Sequence, residues 1–199
     1  IEDEGYPWLA FDWDNFRYSS QRANRPSTDE DTDETVGKGS WFPLLSHGKK
    51  AVWDDRCTKD ERPVLLDPTV LEDVRLIEVK PSGLMGASRL CQGDFQRRRV
   101  EESIKFLGLD LPGIVEARQA AMRAAAGLIE DIENAVETAN EVGDKAYIVA
   151  EKQPCSKKLG QLQAMTRPQQ PFAAAVRTKL KEKGYGEYCM REEEMGLYI

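Results

Sequence analysis

The feature that most constrains this chain is a run of small and apolar residues after Pro112. Ile114, Ala121, Ala125, Leu128, Ile132, Ala135 and Ala139 follow one another at the helical steps of three, four and, from Ile114 to Ala121, seven residues. Asp110-Leu111-Pro112 places a capping-type residue beside a proline suited to a first turn, so the spacing predicts one helix from about 112 to 142. At 1.5 Å per residue such a helix is roughly 45 Å long, longer than a small domain is wide. Its alanine-rich seam therefore needs another helix to pack on, from this chain or from a partner subunit.

Shorter patterns flank it. Val64-Leu65-Leu66 and Leu76-Ile77-Glu78-Val79, with Pro81-Ser82-Gly83 before Leu84-Met85, predict a strand and turn. Val100, Ile104 and Leu107 share a helical face that Gly108 can end. A last helix is predicted to start at Pro171, with Phe172, Ala173, Val176 and Leu180 on one face, Lys179, Lys181 and Lys183 in its final turns, and Gly184 as its stop. The tail after 185 carries little pattern, and no internal repeat is present.

Composition narrows the class. The 199 residues are 40% hydrophobic and 32% charged, without an apolar run long enough to span a bilayer, so a membrane partner is not expected. Lys and Arg number 28 against 35 Asp and Glu, a net charge of -7, which leaves no uniform field to draw phosphate. Nucleic-acid binding must then be local or assisted by a partner. Cys57, Cys91, Cys155 and Cys189 form no C-x-x-C pair, and a reducing cytoplasm is the expected compartment. The one histidine, His47, is too few for chemistry that needs two or three, and it is expected to be structural rather than a base.

The first 25 residues hold Tyr6, Trp8, Phe11, Trp13, Phe16 and Tyr18 around Asp12, Asp14 and Asn15, a density that predicts a small core wrapped on a few polar groups. Between Pro26 and Gly39 the block Asp29, Glu30, Asp31, Asp33 and Glu34 predicts an exposed, self-repelling loop. It is not a calcium loop, because counting from Asp29 the sixth and twelfth places hold Glu34 and Ser40 rather than glycine and a carboxylate. Arg17, Arg22, Arg25 and Lys38 gather positive charge nearby and are candidates for positioning phosphates, with Lys49 and Lys50 following. The run Gln96 to Arg99 is a second such cluster at a helix start, where the ordinary reading is solvation.

The stretch from Trp13 to Arg25 (WDNFRYSSQRANR) resembles the second half of the ββα-metal, or HNH, nuclease motif. Asn15 takes the place of the motif asparagine and Asn24 that of the final metal ligand, while Ser20 and Ala23 stand where the family has two cysteines, so no structural zinc is expected. Gly5 to Asn15, Lys38 to Leu44 (KGSWFPL), Leu65 to Pro68, Ile104 to Arg118 (IKFLGLDLPGIVEAR) and Pro171 to Ala174 come in the order of one HNH subgroup. It is the subgroup of Septu and retron anti-phage systems, so the likeness touches most of the chain.

The resemblance implies a metal-dependent phosphodiesterase. A histidine base deprotonates water, an asparagine orients the histidine, and magnesium or another divalent ion stabilises the leaving oxygen. Asn15 suits the orienting role and Asn24 the metal role, since a neutral amide oxygen is an acceptable hard ligand. The family's histidine lies before the segment that opens this sequence, and because residue 1 is Ile rather than Met the expectation is that this part precedes Ile1. The partners implied are an ATPase of ABC or SMC-like type, nucleic acid with DNA ahead of RNA, and, in a retron setting, reverse-transcribed DNA.

Two other readings stand beside it. Asp67, Glu78 and Lys80 mimic the Asp and Glu-x-Lys pattern of restriction-type nucleases. Alternatively, the lost cysteines and the long helix mark a non-catalytic subunit docking on the ATPase. The expected architecture is α+β and mostly helical: an HNH core over 1–60, then a helical accessory and docking region over 61–199.

Overall fold

Gly93 and Gly108, both at positive φ, bracket the first long helix of the protein, α3 (Gly93–Phe106). The computed structural model describes residues 5–17, 19–28, 35–45, 49–143 and 145–190, with the side chains of Arg22, Val36 and 145–149 outside that description. Tyr18, the acidic block 29–34 and His47 lie outside the described residues. The architecture is α+β, about half helical, with two small two-stranded sheets and one long helix. Among the described residues no helix is long and apolar enough to cross a membrane.

The chain forms two compact units, 1–77 with 86–111 and 78–85 with 112–199. In the first, a single helical turn α1 (Gln21–Asn24) leads into β1 (Ser27–Thr28), which pairs antiparallel with β2 (Thr35–Val36) in the register Ser27 to Val36. The return passes through Gly37, whose φ of +99° and close approach to Arg25 exclude a side chain: a Cβ there would lie 2.1 Å from the Arg25 carbonyl oxygen. Gly37 N–H donates to the Phe106 carbonyl at 3.0 Å, and Trp41 stacks on the Phe106 ring at 3.7 Å, so the end of α3 holds the sheet.

Val64 and Leu65 are buried but make no strand. Val64 N–H donates to the Pro43 carbonyl at 2.9 Å, and side chains of α3 satisfy the backbone on either side of it. Ser103 on α3 accepts from Leu66 N–H at 2.9 Å, and Arg99 donates from Nε to the Pro63 carbonyl at 3.0 Å and from Nη2 to the Leu65 carbonyl at 3.2 Å. The same guanidinium forks onto Asp73 of α2 (Leu71–Val74) at 2.5 and 2.7 Å, with both side chains about a tenth exposed at 12% and 11%. Arg99 is thus a structural residue, unlike its solvated neighbour Arg98.

The predicted strand and turn are the hairpin of β3 (Ile77–Val79) and β4 (Met85–Ala87). In the second unit, α4 (Pro112–Val142) has the predicted bounds and ends before Gly143 at positive φ. It buries Arg118, Met122, Ala125, Ile129, Ile132 and Ala139, a stripe that shares Ala125, Ile132 and Ala139 with the predicted seam. The rest is rotated by about one position, because Arg118 turns inward and donates to the Gly83 carbonyl at 3.1 Å. Ala125, Ile129 and Ile132 pack with Leu162 of α5 (Lys145–Met165) and with Val176 and Leu180 of α6 (Ala173–Glu182). The partner helices of the seam therefore come from this chain.

All four tryptophans, at 8, 13, 41 and 53, lie in the first unit, so their emission reports that unit alone. Urea unfolding followed by tryptophan fluorescence is expected to show Asp73→Ala costing about 3–5 kcal/mol, because Arg99 is left as an uncompensated buried charge. Glu102→Ala, which removes the exposed pairing of Arg98 at 3.8 Å, is expected to cost under about 1 kcal/mol. Leu162→Ala should leave tryptophan emission unchanged while lowering helical stability by roughly 2–5 kcal/mol in circular dichroism.

Candidate functional site

Asp12 fixes the turn that carries Asn15. Its Oδ1 accepts the Asp14 N–H at 3.0 Å and caps a 3-10 turn, Trp13–Asn15. From the end of that turn Asn15, an exposed residue, donates through Nδ2 to the Leu9 carbonyl at 3.1 Å. Ser20 then caps α1, its hydroxyl accepting from Ala23 N–H at 3.1 Å, and Asn24 closes that single turn, exposed. Lys38 N–H donates to the Ala23 carbonyl at 2.9 Å and Gly39 N–H to the Asn24 carbonyl at 2.8 Å, so Lys38 is brought against the helix end that carries Asn24.

Arg17 has another employment than phosphate positioning. Its Nε and Nη2 meet the Asp67 carboxylate at 2.8 and 2.7 Å, and Nη1 donates to the Asp14 and Phe16 carbonyls at 2.5 and 3.0 Å. It ties the Asn15 turn to residue 67 and is a positioning residue. Asp67 also accepts from the Thr69 N–H and hydroxyl at 2.8 and 2.7 Å. The Arg17 hydrogen bonds, opposed by partial burial and aided by Thr69, hold its carboxyl down at about 2. The Arg17 guanidinium is correspondingly raised, chiefly by the same hydrogen bond. Arg25 is exposed beside the glycine return, the Arg22 side chain is outside the described residues, and so is His47.

The Asp67, Glu78 and Lys80 pattern is divided between the two compact units. Asp67 is occupied as above, and Glu78 pairs with Lys80 at 2.8 Å. Among the described residues no group of three or more His, Cys, Asp or Glu side chains is placed to hold a metal ion. The single amide oxygen of Asn24 is by itself too few donors for a divalent ion.

The expected aromatic core does not form in the opening segment. Phe11 is 93% exposed, Trp13 86% and Phe16 56%, since among the described residues no neighbouring element covers them. Tyr6 and Trp8 are instead half-buried against residues from elsewhere: Tyr6 meets Trp8 and Phe42 edge-on at 5.7 and 6.2 Å, and Trp8 meets Trp53 at 6.0 Å. Trp53 and Arg56 stand in a polar loop whose sequence, Val52 to Arg56 (VWDDR), carries no periodic signal.

No protein-family model matches the chain, and none of the curated proteins or solved structures matches it significantly.

The depressed Asp67 value sets a pH dependence. Its proton binds more readily in the unfolded chain, near the ordinary 3.8, than in the folded one at about 2. The stabilisation is therefore complete above the ordinary value and is lost as pH falls toward the folded one. In urea titrations the stability difference between wild type and Asp67→Asn is expected to be constant above about pH 5 and to shrink steadily below about pH 4.

Proposed function

We propose that the chain is the nuclease subunit of an HNH-type anti-phage complex, cleaving nucleic acid with a divalent metal beside an ATPase partner. The observation that carries this reading is the order of parts along one pinned segment: the exposed Asn15 on a turn, a serine-capped helical turn, then Asn24 at its end. That arrangement agrees with the roles the motif resemblance gives the two asparagines. Arg17 and Asp67 act on it indirectly, by fixing the turn.

Asn15 would orient the general base through an amide hydrogen bond, and Asn24 would contribute one oxygen toward the ion. The described residues do not complete a metal site, so the ion's remaining ligands and the base have to come from outside this set, and no step is derived through them. The accompanying ATPase, the preference for DNA over RNA and the link to retron DNA belong to the same proposal.

A second reading, the non-catalytic docking subunit, is favoured by one observation, the near-complete exposure of Phe11 and Trp13 beside Asp12 and Asp14. Large exposed aromatics of this kind are typical anchors of protein interfaces.

Cleavage assays on the protein expressed from its natural reading frame, with the ATPase present, separate the readings. Using labelled single- and double-stranded oligonucleotides with magnesium or manganese, cleavage is expected to stop in EDTA. Asn15→Ala should lower kcat by roughly a hundredfold or more, and Asn24→Ala should raise the metal concentration needed. Glu78→Gln should stay within about twofold of wild type, whereas its complete inactivity would move the site to the restriction-type pattern. Metal-independent silence of the wild type, together with loss of the ATPase complex in Trp13→Ser, would establish the docking subunit instead.

A further inference from the structure

We propose that Trp53, with Arg56, Trp8, Tyr6 and Lys50 around it, is a stacking platform for unpaired bases of single-stranded nucleic acid. The proposal rests on the nuclease reading above and names the form of its substrate.

The platform is preformed. Val52 and Asp55 exchange backbone hydrogen bonds at 2.9 and 3.0 Å, closing a tight turn that pushes Trp53 outward, and the ring remains 58% exposed. Arg56 donates from Nε to the Trp53 carbonyl at 3.1 Å, which sets its guanidinium 4.1 Å from the Trp53 ring centre and 5.9 Å from that of Trp8. Tyr6, edge-on to Trp8, carries Lys50 5.3 Å from its ring centre, and Phe42, 46% exposed, meets Tyr6 in turn at 6.2 Å. Ring faces interleaved with cations are what a single strand needs, because every base offers a π-face and every linkage a phosphate.

The row also adjoins the candidate site. Trp8 and Leu9 share one 3-10 turn, Pro7–Leu9, and the Leu9 carbonyl is the acceptor that anchors Asn15. A base stacked at Trp53 would bring the neighbouring backbone toward that turn.

Charge argues for a single strand over a duplex. Lys49 is neutralised by Asp55 at 2.5 Å, Asp54 follows Trp53 directly, and the whole chain carries -7, so the local positive charge is small. Duplex affinity comes mainly from phosphate neutralisation, whereas stacking is independent of it. The opposite chemistry marks Phe11 and Trp13: Trp13 stands between Asp12 and Asp14 and Phe11 precedes Asp12, so the carboxylates beside these rings repel phosphate. That patch suits a protein surface, and the Trp53 row suits a nucleic acid.

The test is fluorescence anisotropy of labelled oligodeoxythymidine, of oligouridine and of a mixed-sequence duplex on the full protein in EDTA, so that binding is read apart from cleavage. Single strands are expected to bind with quenching of tryptophan emission, at least tenfold tighter than the duplex, with a log–log salt slope of about -0.7 to -1.4, one to two phosphates. Trp53→Ser should weaken binding by roughly ten- to hundredfold, Trp53→Phe should retain it within about threefold, and Arg56→Gln should lose less than Trp53→Ser. Equal affinity for duplex, a Trp53→Ser variant that binds like wild type, or no oligonucleotide binding at all would overturn the platform. Trp53 shielded only in the ATPase complex, with no strand bound, would assign it to a protein interface. Binding lost in Trp53→Ser while Asn15→Ala binds normally but does not cleave separates the platform from the catalytic reading; strand binding without any cleavage would leave the platform standing and remove the nuclease.

Discussion

The fork between Arg99 and Asp73 is the interaction on which the first unit depends. Of residues 63–67, Val64 and Leu65 are buried and the others half-buried, and apart from one antiparallel bridge between Pro63 and Leu44 they form no strand, so most of their backbone groups lack a sheet ladder and have restricted access to water. Arg99 supplies donors to two of those carbonyls, Ser103 accepts from one N–H, and Asp73 accepts from Asp67 N–H at 2.9 Å. A lysine at 99 has one charged centre and no planar fork, and would leave part of this set unmade. From Asp67 the chain of contacts continues to Arg17 and so to the Asn15 turn. A helix–loop pairing thus fixes a surface turn that has almost no apolar contacts of its own.

The second unit works by a different principle. Burial of a single stripe on α4 against α5 and α6 supplies its cohesion, with few directional contacts. Among those contacts Thr178 donates to the Val79 carbonyl at 2.9 Å and Gln119 to the Ser82 carbonyl at 2.8 Å, closing the 78–85 hairpin tip over the start of α4, while the buried Thr166 accepts from Arg177 at 2.6 Å and from Met190 N–H at 3.0 Å. Lys158 and Asp131 pair at 3.0 Å between α4 and α5, exposed enough to contribute little.

What was legible in the sequence follows from where the signal is local. Pro112 and the three- and four-residue spacing mark both the existence and the bounds of α4, and Gly108 and Gly184 mark the ends of two other helices. The helix α5 was not legible, because Pro154 and Gly160 sit inside it and disfavour helix, while among its described side chains Leu162 is buried and Cys155, Leu159 and Met165 are partly covered. Packing on α4 overrides both. The candidate site was legible only in its order of residues. Arg17 in a polar, basic stretch looks like a phosphate contact, and nothing local announces a carboxylate 50 residues away. The aromatic density before residue 25 signals apolar surface but not its cover, which is why Trp8 meets the distant Trp53 while Trp13 meets its near neighbour Phe16, at 5.7 Å.

The distribution of charge then limits how such a protein can engage a polyanion. Its best-placed cations are consumed internally: Arg17 by Asp67, Arg99 by Asp73, Lys49 by Asp55. A surface of this kind cannot concentrate nucleic acid by long-range attraction, and ionic screening over about 8 Å at physiological salt weakens what remains. Under the proposed function, affinity must come from contacts that do not scale with net charge, either ring faces or the surface of a second protein. The neutral amides of Asn15 and Asn24 fit the same constraint, since neither adds negative charge to a region that already holds Asp12 and Asp14. A carboxylate at either place would make phosphate approach costlier, so the amide chemistry of the candidate site and the aromatic chemistry beside it answer one electrostatic limitation.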